Sequence, residues 1–197
     1  GYLSNGTTVN YTGDGTSGLY IFGAQLEALS FATSYIPTTT TAVTRAADAC
    51  GLAYNNNANI SSSIHIQVKA NLNGLSTSTS FQQRQTIVAV GGVSKCNIQW
   101  QNNDDRLLNY YNGVITDYFT TRDTLLHDYG FSFDGSSTTN TYYDGILVDT
   151  KTGLSPATPS EYIITIGSEG GLKFLYGHVS NLRIYDKTLT PTEVALA

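Results

Sequence analysis

Charge is scarce in this chain of 197 residues: Asp, Glu, Lys and Arg together make up 13% of it. Globular proteins average about twice that share, roughly 25%. The formal net charge is −5, so no basic surface is indicated that would neutralise nucleic acid or an anionic membrane. No apolar run approaches the roughly 20 residues that a membrane-spanning helix needs, and no signal peptide opens the chain. We therefore expect neither a nucleic-acid partner nor membrane insertion.

Methionine is missing, and cysteine occurs twice, as Cys50 and Cys96. Without a methionine, Gly1 is not a natural translation start, and we expect the chain to be a fragment of a longer protein. Two isolated cysteines do not define a disulfide-rich scaffold. We expect two reduced thiols, and a single bridge between them is the alternative.

Thr, Ser, Asn, Gly and 14 Tyr supply the polarity instead, a composition that favours strands and turns. The segment "SIHIQVKA" shows the clearest alternation, with Ile64, Ile66 and Val68 on one face. His65 falls on the opposite face and is interpreted as a surface imidazole. No alternation of strands with helices is present, so the strands are predicted to form antiparallel sheets.

Short turns and one helix complete the pattern. Asn112-Gly113 and Asp144-Gly145 each separate two alternating segments and predict two-residue hairpins, because both turn positions require positive φ. In "LTPTEVALA", Thr190 is the expected N-cap and Glu193 completes a capping box, so a short helix should end the chain. These signals predict an all-β protein of two packed antiparallel sheets with a short C-terminal helix.

The first part of the chain has a different character. A strand is predicted around residues 19–26, followed by "FATSYIPTTTTAVTRAAD", in which four consecutive threonines disfavour a helix. Pro37 also pushes Ile36 into extended geometry. We expect an extended strap anchored by Tyr35, Ile36 and Val43. Residues 1–48 are thus interpreted as terminal strands of an upstream module plus this strap, and residues 49–197 as a complete β domain.

Three motifs in residues 18–48 resemble the end of a carbohydrate-binding-module-like domain of bacteriophage tail fibres and tailspikes. They are Gly-Ala-Gln-Leu-Glu, Ser-Tyr-Ile-Pro-Thr and Thr-Arg-Ala-Ala-Asp, which stand at residues 23–27, 34–38 and 44–48. The resemblance covers about a quarter of the chain. It implies a location in the virion, as part of a tail fibre that acts at the host cell surface.

A second resemblance covers most of the remainder. "YYDGILVDT" and "GHVSNLRIYDKTLTPTEV" are similar to the hairpin and closing strand of concanavalin A-like, or laminin-G-like, jelly-roll domains. The two resemblances together imply a jelly-roll sandwich, a bacterial surface glycan as partner and a homotrimeric fibre. Jelly rolls of this kind sometimes hold a structural calcium ion, for which "NNDD" and "FDGSS" are the candidate segments. No other cofactor is expected.

Three classes of function remain open: glycan binding, a structural or oligomerisation module, and a glycan-degrading enzyme. Glycosidases place two carboxyl groups across the scissile bond, and the Glu-x-Asp-x-x-Glu strand of glucanases with this fold is missing here. The three histidines accompany no recognisable nucleophile motif. We therefore favour glycan binding without cleavage, with no catalytic residue.

The hairpin around Asn112-Gly113 is the expected binding site, because sugars bind to aromatic rings flanked by amides and hydroxyls. The face with Leu108, Tyr110 and Ile115 is interpreted as the core face. The opposite face is interpreted as the glycan platform, and the preceding loop as its rim. Trp100 stands two residues after Ile98 and should face the same side of the strand, so a core position and a binding position are both possible for it. The predicted carbohydrate-binding residues are Asn109, Tyr111, Thr116, Tyr118, Trp100, Asn102, Asn103, Asp104, Asp105 and Arg106.

Overall fold

The computed structural model describes residues 15–16, 20–27, 32–44, 50–53, 62–73, 84–92, 95–102, 104–121, 123–158, 163–169 and 173–196. Internal contacts divide the chain into two compact units, Gly1–Arg45 and Ala46–Ala197. In the described ranges, no helix has the length and apolar character needed to cross a membrane.

The described part of the second unit is almost entirely β-structure. Its first strands are β1 (Cys50–Ala53), β2 (Ser63–Leu72), β3 (Arg84–Val90), β4 (Cys96–Gln101), β5 (Arg106–Tyr111) and β6 (Val114–Phe119). These are followed by β7 (His127–Asp134), β8 (Thr139–Tyr143), β9 (Ile146–Lys151), β10 (Ile163–Ile166), β11 (Gly177–Tyr185) and the helix α1 (Pro191–Leu196).

The strands form two antiparallel sheets. The six-stranded sheet has the order β1-β10-β3-β4-β5-β6, and the five-stranded sheet has the order β11-β2-β7-β8-β9. Side chains from both sheets meet in one core, which includes Ile66, Ile98, Trp100 and Phe131. This arrangement confirms the predicted two-sheet sandwich with a short C-terminal helix.

Both predicted hairpins are present. Tyr111 pairs with Val114 across Asn112-Gly113, and the two turn residues have φ values of 48° and 82°. The Asp144-Gly145 turn joins β8 to β9 with φ values of 50° and 76°. Positive φ at both positions is what a two-residue hairpin turn requires, so the dipeptides predicted these turns for the correct physical reason.

The alternation of β2 places Ile64, Ile66 and Val68 in the core, as predicted. The interpretation of His65 as a surface residue is wrong, because its side chain is fully buried. Helix α1 covers this outer face of the five-stranded sheet, and the rings of Tyr142 and Tyr185 lie 5.6 and 5.9 Å from the imidazole. Burial in this apolar environment lowers the pKa of His65 to about 4.

Helix α1 begins as its capping box predicts. The Thr190 backbone N–H donates to the Glu193 carboxylate at 2.8 Å, and the Glu193 N–H donates to the Thr190 hydroxyl at 3.3 Å. Val194 packs with Leu189 and Tyr142 on the outer face of the five-stranded sheet. The helix is therefore fixed both by its cap and by an apolar contact.

The Gly1–Arg45 unit is held by hydrogen bonds between its sequence motifs. Residues 20–27 form no strand, so the strand predicted around residues 19–26 is not found among them. The Gln25 amide accepts from the Ile36 N–H at 2.7 Å, and the Glu27 carboxylate accepts from the Thr33 hydroxyl at 2.8 Å. Tyr35 packs against the ring of Phe22, and Val43 is exposed.

Candidate functional site

The predicted glycan platform lies inside the sandwich. Asn109, Tyr111 and Thr116 are between 0 and 2% exposed, and Trp100 is 1% exposed. The polar face of the hairpin is the one that packs against the five-stranded sheet. Buried side chains of this kind do not contact a polysaccharide, so these four residues belong to the core. On the predicted core face, Leu108 and Tyr110 are buried too, whereas Ile115 is 40% exposed.

Contacts within the core explain why polar residues occupy this face. The ring of Tyr111 stacks on Phe133 with centroids 4.2 Å apart, and its hydroxyl accepts a hydrogen bond from the Ala157 N–H at 3.0 Å. The Thr116 hydroxyl lies 2.9 Å from the hydroxyl of Thr141. The hydroxyls of Tyr111 and Thr116 are hydrogen-bonded after burial, which removes most of the cost of taking them out of water.

The loop before β5 is the part of the predicted site that stays accessible. Asn102 is 9% exposed and accepts a hydrogen bond from the Gln85 amide at 2.9 Å, while Asn103 lies outside the described residues. Asp104 is exposed, and Asp105 and Arg106 are half-buried. Three of the five predicted loop residues therefore stand at the surface.

Arg106 is fixed between two carboxylates. Its guanidinium pairs with Asp104 on one side and with Asp117 at 2.9 Å on the other. The hydrogen bond to Asp104 is the main reason why the pKa of Arg106 lies above its ordinary value. The side chain thus has a defined position at the edge of the six-stranded sheet.

An open cleft of about 270 Å³ lies beside this ion pair, lined by Asp104, Asp105, Thr120 and Thr121. We call it the rim cleft. The Thr120 N–H donates to the Asp105 carbonyl at 3.2 Å, which joins the two walls. Small-molecule sites usually start at roughly 300 Å³, so the cleft is near the lower limit of that range. Two carboxylates and two hydroxyls give it several hydrogen-bonding groups.

Two tyrosines pack together against the core, and one of them contacts a wall of the rim cleft. Tyr118, the fourth accessible residue of the predicted site, is half-buried and lies 5.8 Å from the ring of Tyr143. Tyr143 also forms a side-chain hydrogen bond with Thr120. Burial, helped by the charges of Asp144 and Asp123, raises the pKa of Tyr143 to about 12. The Tyr143 phenol is therefore neutral at physiological pH.

His127 holds two aspartates that sequence analysis did not connect with it. Its Nε2 lies 2.9 Å from Asp123, and its Nδ1 lies 2.8 Å from Asp144. The imidazole ring stacks on Tyr143 with centroids 4.9 Å apart. We call Asp123, His127 and Asp144 the His127 clamp. The sequence signal that could have indicated this cluster is the Asp144-Gly145 turn. The register of β8 with β7 brings Asp144, at the end of β8, beside the start of β7.

A second polar cluster lies on the outer face of the six-stranded sheet. Glu169 is 3% exposed and accepts hydrogen bonds from the amides of Asn97 at 2.6 Å and Gln99 at 2.7 Å. Lys173 pairs with the same carboxylate. On the same face, the Arg84 guanidinium lies 5.1 Å from the centroid of the Tyr110 ring. Because Glu169 is buried and already bonded, this cluster supports the sheet rather than offering a free carboxylate.

A larger cleft, about 470 Å³, lies within the Gly1–Arg45 unit and is lined mainly by aliphatic and threonine side chains. The polar atoms of Gln25 and Glu27 in its wall bond to the strap. None of the described residues that line it is aromatic. Its chemistry is therefore less suited to a sugar than that of the smaller rim cleft.

Of the two candidate calcium segments, "NNDD" includes Asn103, which lies outside the described residues, and "FDGSS" forms a hydrogen-bonded turn. In "FDGSS", one oxygen of Asp134 accepts the N–H groups of Ser136, Ser137 and Thr138 at 2.8 to 3.0 Å. Burial opposes the charged form of Asp134, but these hydrogen bonds outweigh it and hold the pKa well below its ordinary value. Among the described residues, no three His, Cys, Asp or Glu side chains are grouped to hold a metal ion. A calcium ion at either segment stays a prediction.

A family model described as the concanavalin A-like lectin/glucanases superfamily matches residues 51–195. The match covers more than half of the chain, and the chain belongs to this family. It also supports the resemblance drawn from the hairpin and the closing strand. A comparison with curated proteins finds no match.

Solved structures share the fold at low sequence identity. A Trypanosoma rangeli sialidase in complex with a 2,3-difluoro-KDN ligand has a TM-score of 0.54 and 12% identity, covering 68% of this chain and 22% of the sialidase. The binding domain of botulinum neurotoxin serotype G has a TM-score of 0.53 and 14% identity, covering 70% and 36% of the respective chains. The binding domain of botulinum neurotoxin DC in complex with SialylT has a TM-score of 0.50 and 15% identity, covering 69% and 35%. This chain therefore spans well under half the length of each structure.

Proposed function

We propose that this chain is a receptor-binding module of a bacteriophage tail fibre, which attaches to a bacterial surface polysaccharide through the rim cleft without cleaving it. The observation that carries the proposal is the position of the cleft: two carboxylates and two threonines stand at an open end of the sandwich, and Tyr143 interacts with Thr120 in its wall. The tail-fibre assignment is supported by the motifs of residues 18–48.

The chemistry of the rim cleft suits a sugar. Carboxylates accept strong hydrogen bonds from sugar hydroxyls, and the threonine hydroxyls can donate or accept. Tyrosine offers an apolar ring together with a polar tip, as the two sides of a pyranose require. Membership in a family that contains lectins supports this proposal, as does the botulinum neurotoxin DC binding domain solved with SialylT.

The ion pairs formed by the carboxylates near the cleft favour attachment without cleavage. Glycoside hydrolysis needs one carboxyl group as acid and a second as base or nucleophile. Asp104 and Asp117 are both paired with Arg106, and Asp123 and Asp144 both with His127. Four of the carboxylates near the cleft thus serve ion pairs within the protein.

A shallow site of this size binds one short glycan segment weakly. A homotrimeric fibre would present three copies, and effective concentration would then raise the overall affinity without new contacts. As part of the same proposal, the protein is located in the tail of the virion and acts at the host cell surface.

Binding of the purified protein to a panel of bacterial surface polysaccharides tests the proposal. We expect Thr121→Val and Asp105→Asn each to weaken binding roughly threefold to tenfold, since the first removes a hydroxyl from the cleft and the second replaces a charged acceptor with a neutral amide. Thr152→Val and Asp186→Asn change exposed residues of the same types elsewhere and should bind as the wild type does.

Three results would contradict the proposal. Equal binding by all four variants would show that the site is elsewhere. Wild-type protein that binds no polysaccharide and no bacterial surface would favour a structural module of the fibre. Release of reducing ends from a bound polysaccharide would show an enzyme.

A further inference from the structure

We propose that His127 is a positioning residue for the rim cleft, and that its imidazolium fixes the segment that carries Thr120 and Thr121 in the binding conformation. The inference rests on the proposed function, because it concerns the affinity of the same cleft. It makes glycan attachment depend on the protonation of one side chain that does not itself line the cleft.

The clamp joins a surface segment to a fixed part of the sheet. Asp144 is the fixed end: its carboxylate accepts the Asp128 N–H at 2.9 Å, and its own N–H donates to the Asp128 carbonyl at 2.8 Å. Asp123 is the other end, in the segment between β6 and β7, where it also accepts the Leu125 N–H at 2.7 Å. His127 bridges the two carboxylates, so it ties this segment to the β8–β9 turn.

Apolar packing does not hold the segment in place. Leu125 is 64% exposed and Leu126 is 56% exposed, although leucines usually anchor a segment by burial. Thr124 is exposed as well. The hydrogen bonds and charges of the His127 clamp are therefore the main described interactions that fix residues 123–126.

A second connection runs from His127 to the wall of the cleft. The imidazole stacks on Tyr143, and Tyr143 forms a side-chain hydrogen bond with Thr120. Thr120 in turn donates its N–H to Asp105 across the cleft. A change in the position of the imidazole is thus transmitted to both walls through three contacts.

The groups that face His127 favour its charged form. Asp123 from the preceding segment and Asp144 from the β8–β9 turn bond to the imidazole, and the rings of Tyr129 and Tyr143 lie against it. Burial alone would lower the pKa of His127, but the hydrogen bonds to Asp144 and Asp123 outweigh burial and raise it above the ordinary value of 6.5. The clamp is therefore complete below pH 6.5 and weakens as pH rises through the folded-state pKa.

The experiment measures binding of wild type and His127→Phe to the same polysaccharide from pH 5 to pH 9. Phenylalanine keeps a ring that can stack on Tyr143, but it loses both hydrogen bonds and the charge. We expect wild-type affinity to fall roughly threefold to tenfold across this range, and His127→Phe to bind weakly at every pH with a flat profile. His178→Phe replaces an exposed histidine elsewhere and should keep the wild-type profile.

Amide exchange separates this inference from the proposed function. In His127→Phe, the Leu125 N–H should exchange faster than in wild type at pH 6, while amides in the centre of β7 keep their protection. If wild type binds no polysaccharide, the proposed function fails, and the exchange result alone decides whether the clamp holds the segment. A wild-type binding profile that is flat and matches that of His127→Phe, or unchanged exchange at Leu125, would overturn the role of His127.

Discussion

The side-chain amide of Asn109 donates a hydrogen bond of 2.9 Å to the hydroxyl of Thr141, and this bond joins the six-stranded sheet to the five-stranded sheet inside the sandwich. The hydroxyl of Thr116 lies 2.9 Å from the same Thr141 oxygen and also donates to the Asn109 carbonyl at 3.3 Å. Three polar side chains from three strands thus share one buried network.

Such a network favours one alignment of the two sheets. A buried amide or hydroxyl that loses its partner costs roughly 1–3 kcal/mol, whereas apolar side chains tolerate small shifts. Sliding one sheet over the other would break both hydrogen bonds to Thr141 together. The network therefore specifies how the sheets align, in addition to any net stability that it contributes.

Acid should destabilise the protein through His65. The folded-state pKa of about 4 lies below the ordinary 6.5, so the unfolded chain binds a proton first as the pH falls. This one group should cost about 3 kcal/mol of stability between pH 7 and pH 4, from a shift of about 2.5 pKa units at 1.36 kcal/mol each. Urea unfolding of wild type and His65→Leu at both pH values measures the effect.

His65→Leu should lose less stability than wild type on acidification, because its buried side chain has no proton to accept. His178→Leu changes an exposed histidine and serves as the control. Equal acid sensitivity of wild type and His65→Leu would show that the imidazole is not buried in solution.

Glu169→Ala should destabilise the fold by about 3 kcal/mol, since it leaves the amides of Asn97 and Gln99 and the ammonium of Lys173 without their shared acceptor. Asp186→Ala removes an exposed carboxylate and should change stability by less than about 0.5 kcal/mol. Chemical denaturation compares the two variants. A loss in Glu169→Ala no larger than that in Asp186→Ala would refute the structural role given to this cluster.

Gly177→Ala should be severely destabilising. A Cβ at this position would lie 1.9 Å from the backbone oxygen of Asn71, so β11 would have to move away from β2. We expect a loss of about 3 kcal/mol or more. Gly113→Ala has no atom within 4 Å of the added Cβ, and its φ of 82° should cost about 1–2 kcal/mol. Thermal melting of both variants checks the order, and a Gly177→Ala protein as stable as Gly113→Ala would contradict the predicted clash.

Local signals in the sequence predicted much of the fold. The alternation of Ile64, Ile66 and Val68, the Asn-Gly and Asp-Gly dipeptides, and the Thr190–Glu193 capping box each depend on neighbouring residues alone. Their physical causes act over two to four positions of chain. For that reason, one sequence was sufficient to predict them.

The binding face could not be predicted in the same way. The alternation of side chains correctly separated the two faces of the β5–β6 hairpin. Which face packs inside the sandwich depends, however, on the partner sheet. Thr141 on β8 offers a hydrogen-bond partner there, which makes a polar face suitable for the core. His65 was misassigned for a related reason, since α1 closes over the outer face of β2. The His127 clamp joins residues 123, 127 and 144, whose proximity follows from the register of β7 with β8.

The pairing of β2 with β11 has a consequence for synthesis of the protein on the ribosome. In this pairing, Leu72 lies opposite Gly177. In the pairing of β1 with β10, Cys50 lies opposite Ile166. More than a hundred residues must therefore leave the ribosome before β1 can pair with β10 or β2 with β11, although β7, the other neighbour of β2, follows sooner. Closing such long loops is slow, and until then β1 and one edge of β2 stay unpaired and are targets for aggregation or for chaperones. Production of this fold should accordingly benefit from slow translation and low temperature.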